Sequence, residues 1–190
     1  MSDYYFDIET YSRTPEPDFS NDEIIAITYQ QVDSRTGEVK GNLNILKSWD
    51  SSETEILTRF YRVFNPEDKW HFIPIGCNLS FDFTCLIHRW KKIDIQVSAR
   101  KLLAEHPYID IQPILIMFNR GSFRGATLEK FAGKRYSGSG VAEWYSKKEY
   151  HAIQDYIEDE VDTFLKLYRF LARTLPSIWL EFTKESGIAV

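Results

Sequence analysis

Asp7 and Glu9 stand two residues apart in the run Tyr4-Tyr5-Phe6-Asp7-Ile8-Glu9-Thr10-Tyr11, and side chains spaced by two point to the same side of an extended chain. The two carboxylates therefore converge on one spot, while Phe6 and Ile8 face the other way. Paired anions on a mostly buried strand repel each other and lose hydration, which is unfavourable unless a positive charge lies between them. A hard divalent cation with oxygen ligands meets that need. Taken alone, Asp-x-Glu is more often an edge strand with two solvated acids, so the chemistry depends on what the rest of the chain supplies.

Two further acids supply it. The run Ile75-Gly76-Cys77-Asn78-Leu79-Ser80-Phe81-Asp82 ends a strand and opens a helix, the place where ligands gather in open α/β sheets. Asp82 lies in the first turn, where the helix dipole favours a carboxylate; a harmless first-turn acid would look the same. Near the end of the chain, at about 100° per residue, Glu160 falls among Ile153, Tyr156, Ile157, Phe164, Leu167 and Leu171, in the middle of an apolar stripe. A lone glutamate there is unfavourable unless paired, neutralised or metal-bound. Tyr156, four residues earlier on the same face, reaches whatever Glu160 contacts. Asp159 falls with Asp155, Asp162 and Lys166 on the polar side, as a solvated face would have it.

The elements that must position these groups are legible in outline. Ser12 to Asp22, with Pro15 and Pro17, reads as a loop over the mouth of the site. Ile24 to Tyr29 and Leu43 to Leu46 read as strands joined by the turn at Asp33 to Gly37, giving three antiparallel strands with the first. Ser52 and Glu55 have capping-box spacing before a helix that stops at Asn65-Pro66. Trp70 to Gly76 is a short strand that Pro74 limits to a partly paired position, and Ser80 is placed to cap the helix carrying Phe83, Leu86, Ile87 and Trp90. Ile93 to Ile95 and Tyr108 to Ile111 suggest strands, with a helical turn at Lys101 to Glu105. Asn119 to Gly125 is a basic loop before a short helix through Leu128 and Phe131. Ser137 to Gly140 is a hinge before a long helix, roughly Lys147 to Thr174, ended by Pro176. Strands first and then alternation with helices make an α/β fold with a mixed sheet.

The chain has 190 residues, 43% hydrophobic and 15% aromatic, enough for one domain with one substantial core; residues 176–190, with Ile178, Trp179, Leu180 and Phe182, form an apolar C-terminal tail. The net charge of -5 and pI near 5.4 exclude coating nucleic acid by bulk charge, so any such contact must be local. Cys77 and Cys85, the two cysteines, have neither disulfide-framework nor zinc-like spacing and read as reduced thiols. With no leader before the first strand and no membrane-length apolar run, a soluble cytoplasmic protein without membrane contact is expected.

Phe6-Asp7-Ile8-Glu9-Thr10, Gly76-Cys77-Asn78-Leu79-Ser80-Phe81-Asp82 and Tyr156-Ile157-Glu158-Asp159-Glu160, in this order, resemble the three exonuclease motifs of the DEDD superfamily. The nearest likeness is to tyrosine-type, stand-alone relatives of the 3′–5′ proofreading domain of family B DNA polymerases, over nearly the whole chain to about Arg173. The resemblance implies a ribonuclease H-like fold, a mixed central sheet flanked by helices, as a single exonuclease domain over 1–190. That family usually carries Asp where this chain has Glu160. A turned helix would offer Asp159 instead, with Asp155 a poorer substitute. The histidine-type subclass wants His at position 155, which is Asp, and His151 is off register.

The resemblance further implies that Asp7, Glu9, Asp82 and Glu160 hold two Mg²⁺ or Mn²⁺ ions, with Tyr156 orienting the attacking water. The implied partner is nucleic acid, most of all single-stranded DNA 3′ ends; protein partners are left open. Asn78 and Phe81 are candidates for contact with the 3′ end, Phe81 by stacking. Arg120, Arg124, Lys130, Lys134 and Arg135 form the densest basic stretch, a candidate phosphate track or, equally, a solvated surface. An exoribonuclease on the same scaffold and a catalytically silent nucleic-acid-binding or assembly module are the competing expectations.

Overall fold

A computed structural model describes residues 2–14 and 18–188 of the chain; Pro15 and Pro17, read as part of a loop over the site, lie outside the described residues. Five strands form one sheet in the order β3-β2-β1-β4-β5. They are β1 (Asp3–Tyr11), β2 (Glu23–Val32), β3 (Asn44–Lys47), β4 (Ile73–Gly76) and β5 (Ile109–Asp110). β1 pairs antiparallel with β2, and β2 with β3, as the sequence predicts; β4 joins the other side of β1 in parallel, and β5 adds to β4 in parallel. The acid-bearing first strand is thus the middle of the sheet.

Alternation along β1 divides the core in two. Phe6 and Ile8 are buried with Ile24 and Ile27 of β2 against α1 (Glu53–Phe64) and α2 (Leu79–Lys92), where Phe60, Phe64, Phe83 and Trp90 pack ring on ring. Tyr5 faces the opposite side with Ile75, against Ile153, Tyr156, Ile157 and Phe164 of α6 (Tyr150–Ser186). Asp7 and Glu9 alternate with Phe6 and Ile8, so they share the α6 side with Tyr5. Glu53 draws the first layer together: it accepts from the Ile24 amide and pairs with Arg89 of α2.

Ser52 caps α1 through the Glu55 amide, at the predicted capping-box position. Several expectations are corrected. The strand over Trp70 to Gly76 begins only at Ile73, and Tyr108 to Ile111 contracts to Ile109–Asp110, while Ile93 to Ile95 forms no strand; apolar-polar alternation without a neighbour to complete a ladder leaves loop. Ser80 does not cap α2, because Asn78, at φ 65°, turns the chain two residues earlier. After α3 (Gln112–Phe118) and α4 (Leu128–Ala132), a further helix precedes the long one, α5 (Val141–Ser146). Finally, Pro176 does not end α6: the helix has 37 residues and stops at Gly187, in the left-handed conformation at φ 67°. A proline removes one amide and crowds one carbonyl; here the turns on both sides stay helical and glycine makes the stop. Ile178, Trp179, Leu180 and Phe182 of the expected tail are therefore helical and about half exposed, not folded onto the core. Among the described residues no helix is long and apolar enough to cross a membrane.

Candidate active site

Beyond Tyr5, β1 loses its β4 neighbour, because β4 ends at Gly76 and the chain turns away. The turn needs glycine: a Cβ on Gly76 would lie 2.8 Å from the Phe6 carbonyl oxygen and 2.5 Å from Leu79 Cδ2. Asp110 of β5 then receives the amides that open α2, Asn78 N on Oδ1 and Leu79 N on Oδ2, both at 2.9 Å. A carboxylate from a neighbouring strand thus does what Ser80 is expected to do, satisfying orphan amides at a helix start. One turn on, Asp82 Oδ1 accepts the Ile8 amide at 3.1 Å, so α2 closes the strand edge that β4 leaves open.

On the other side of the strand, α6 brings Glu160 to the first two acids. One carboxylate oxygen each from Asp7, Glu9 and Glu160 lies within 4.8 Å of the other two. Asp82 stands outside that trio, held on Ile8, but close enough to raise the pKa of both Asp7 and Glu9. Burial first, then the Glu160 charge, pushes Asp7 and Glu9 well above the usual carboxylate range. Asp82 is pushed up to about 8, chiefly by burial and against the pull of the Ile8 amide. Tyr156 is driven upward by burial and by the Glu9, Glu160 and Asp7 charges, and keeps its proton.

One cation of the basic stretch over residues 120–135 sits in this cluster. Lys134 Nζ donates to Glu160 Oε2 and to the Tyr156 hydroxyl, each at 2.6 Å, and its side chain is only 7% exposed. It lowers the pKa of Asp7 and Glu9, opposing the neighbouring anions. The donor set suits a hard divalent cation: three convergent carboxylates, with a protein ammonium already serving as a positive counter-charge against one of them. Asp7, Glu9 and Glu160 could hold such an ion.

Asp159 is corrected. It is 8% exposed, not solvated, and Arg135 binds it through its amide at 2.9 Å and Nε at 2.6 Å. Burial alone would raise its pKa, but the Arg135 contacts outweigh that and hold it low. The polar flank of α6 is covered here by residues 134–135, which a helical wheel does not reveal. Lys130, meanwhile, donates to Asn119 Oδ1 at 2.6 Å. Three of the five cations of the expected phosphate track are thus engaged with protein partners, and Arg120 and Arg124 remain exposed on their loop.

A cleft of about 460 Å³ opens beside the acids, lined by Asn78, Phe123, Glu129, Lys134 and Glu160 among others. Asn78 lines it. Phe81 does not; its ring packs on Phe19 at 5.5 Å between centroids, because α2 turns it towards that loop. Phe123, 76% exposed, is an aromatic side chain on the cleft wall. Cys77, also on the cleft wall, is half-buried, and burial together with the Asp110 charge raises its thiol pKa.

Comparison with solved structures now identifies the architecture. Over 90% of the chain it superposes on a family B DNA polymerase of the archaeon Pyrobaculum calidifontis with a TM-score of 0.65 at 18% identity. Over 94% it matches E. coli exonuclease I in complex with a dT13 oligonucleotide, TM-score 0.64 at 12% identity, and over 96% the zinc-bound form of that enzyme's single-stranded DNA complex, TM-score 0.63 at 12%. This is the ribonuclease H-like fold. The chain spans 24% of the polymerase and 42–43% of the exonuclease I chains. No family model and no curated protein matches it.

Proposed function

We propose that this chain is a 3′–5′ exonuclease of the tyrosine-type DEDD class, a single domain that hydrolyses the terminal phosphodiester of single-stranded DNA with two Mg²⁺ or Mn²⁺ ions. One observation carries the reading: oxygens of Asp7 and Glu9 from the central strand and of Glu160 from a helix far along the chain converge within 4.8 Å. A fold alone does not assign an activity, and convergent carboxylates, with the pKa values of Asp7 and Glu9 raised by burial and by neighbouring charge, are a functional-site signal in their own right. The fold shared with exonuclease I, solved with dT13 and with single-stranded DNA and zinc, favours DNA and a metal.

Asp7, Glu9, Asp82 and Glu160 would hold the cations, which when bound neutralise the cluster, lower the pKa of a water and stabilise charge on the phosphoryl and leaving oxygens. The remaining work falls to the protein. Tyr156 retains its proton and acts as a hydrogen-bond donor that orients the attacking water, not as a base. Asp82, anchored on the Ile8 amide, fixes the open edge of β1 and with it the direction of Asp7 and Glu9. Asn78 on the cleft wall offers an amide to the terminal nucleotide, and Phe123 offers a ring on which a base can stack. Arg120 and Arg124 contact the phosphate backbone from the same loop, an exposed contact that salt weakens.

The test is shortening of 5′-labelled single-stranded DNA, with RNA in parallel, in Mg²⁺, Mn²⁺ or chelator. A ladder with either metal, lost in chelator and in Asp7→Ala, is expected. Intact DNA under all conditions overturns the proposal, and shortening confined to RNA reassigns the substrate.

A further inference from the structure

Lys134 and Arg135 follow Gly133, which has φ 75°, and bind two successive acids of α6. Arg135 grips Asp159 through its amide and Nε; Lys134 reaches past it to Glu160 and Tyr156, with Nζ 4.2 Å from the centre of the tyrosine ring. A buried ammonium is unfavourable without a partner, and its partner here is one of the three convergent carboxylates. An ammonium hydrogen-bonded to Glu160 Oε2 takes the charge and the space that a divalent ion needs on that oxygen, and like charges that close repel strongly.

We propose that residues 133–137 form a strap that seats the Lys134 ammonium on Glu160 in the metal-free protein and releases it when metal binds. Asp159, through Arg135, is the positioning residue that anchors the strap. The inference rests on reading Asp7, Glu9 and Glu160 as metal ligands. The strap itself need not move: the lysine stem has enough rotatable bonds for its head to leave while Arg135 stays on Asp159. The ammonium then becomes available at the cleft wall, where Lys134 already lies. The arrangement also accounts for a buried Asp159 that carries no place in the acid trio.

Lysine acylation read by mass spectrometry on the full chain, beside calorimetric Mg²⁺ titration, tests this. In chelator Lys134 is expected to be protected; saturating Mg²⁺ raises its labelling severalfold while Lys130, bonded to Asn119, stays unchanged. Lys134→Met binds Mg²⁺ about tenfold more tightly, since one competing positive charge is gone. Asp159→Asn alters neither the acid trio nor Lys134 itself, yet by loosening the Arg135 anchor it raises Lys134 labelling in chelator. Mg²⁺ binding with Lys134 still protected, or Lys134→Met binding no more tightly, overturns the strap and leaves the metal site standing. Binding by Lys134→Met but not by wild type sustains it. Mg²⁺ binding by neither overturns both the strap and the metal-site reading.

Discussion

Replacing Asp82 by Asn should make the metal-free protein more stable in alkali than wild type, although it removes a group of the candidate site. The side chain is 3% exposed, and its acid is pushed from an ordinary 3.8 to about 8 in the folded protein. A folded-state pKa above the unfolded value means that the folded chain binds the extra proton. Stability is then greatest below about 4 and falls as pH rises towards 8. The full gap corresponds to a ceiling of about 6 kcal/mol, and half of that is a reasonable expectation once water reaches the opened site. Asn keeps an oxygen for the Ile8 amide and removes the titration. Urea melts in chelator at pH 5 and pH 8 should show wild type losing about 3 kcal/mol across that interval, or about 6–12 °C in Tm for a chain of this size. Asp82→Asn should lose distinctly less, with Asp7 and Glu9 leaving a residual slope. Equal slopes in the two proteins would refute the charge-strain argument, and added Mg²⁺ should flatten the wild-type curve.

Asp159→Ala should destabilise by about 0.5–1.5 kcal/mol, because it removes both hydrogen bonds that Arg135 makes to it, in a pair whose arginine side chain is largely exposed; a Tm within a degree of wild type would contradict that. Glu160→Gln should reduce exonuclease rate by at least about 100-fold, in line with the loss of one preorganised charge at a reacting phosphate, with circular dichroism unchanged. Gly76→Ala should cost about 1–3 kcal/mol, since the new methyl meets the Phe6 carbonyl, which cannot give way as a side chain can; chemical denaturation measures it. Trp179→Ser, on the exposed end of α6, should shift stability by no more than about 0.5 kcal/mol.

Strand alternation made the central part of the site legible. Period two along Tyr5 to Glu9 separates the acids from Phe6 and Ile8, and period 3.6 places Glu160 and Tyr156 together on the α6 face that packs on Tyr5. What the sequence hid is what crosses between elements. Asp110 caps α2 from another strand, and no local pattern marks a cap delivered from so far along the chain. Lys134 and Arg135 sit in a run of cations that composition assigns to the surface, yet both are drawn onto acids of α6. Asp159 is covered for the same reason: a wheel shows which face of a helix meets the core, not which loop lies across the other. At Pro176 the breaker rule lost to the helical turns around it, while the true stop at Gly187 follows the preference of glycine for positive φ at a helix end.

Among the described residues around the cleft, Asp7, Glu9, Asp82, Asp110 and Glu160 outnumber the buried ammonium of Lys134. Burial and mutual repulsion favour bound hydrogen ions on Asp7, Glu9 and Asp82, so on the proposed function cation uptake expels them into the medium, and the heat of titration will vary with the buffer chosen. A polymer carrying its own negative charge at every link is repelled from the undressed acids. On the proposed function the order of assembly is therefore built into the charges: the inorganic ions come first and the strand end settles last.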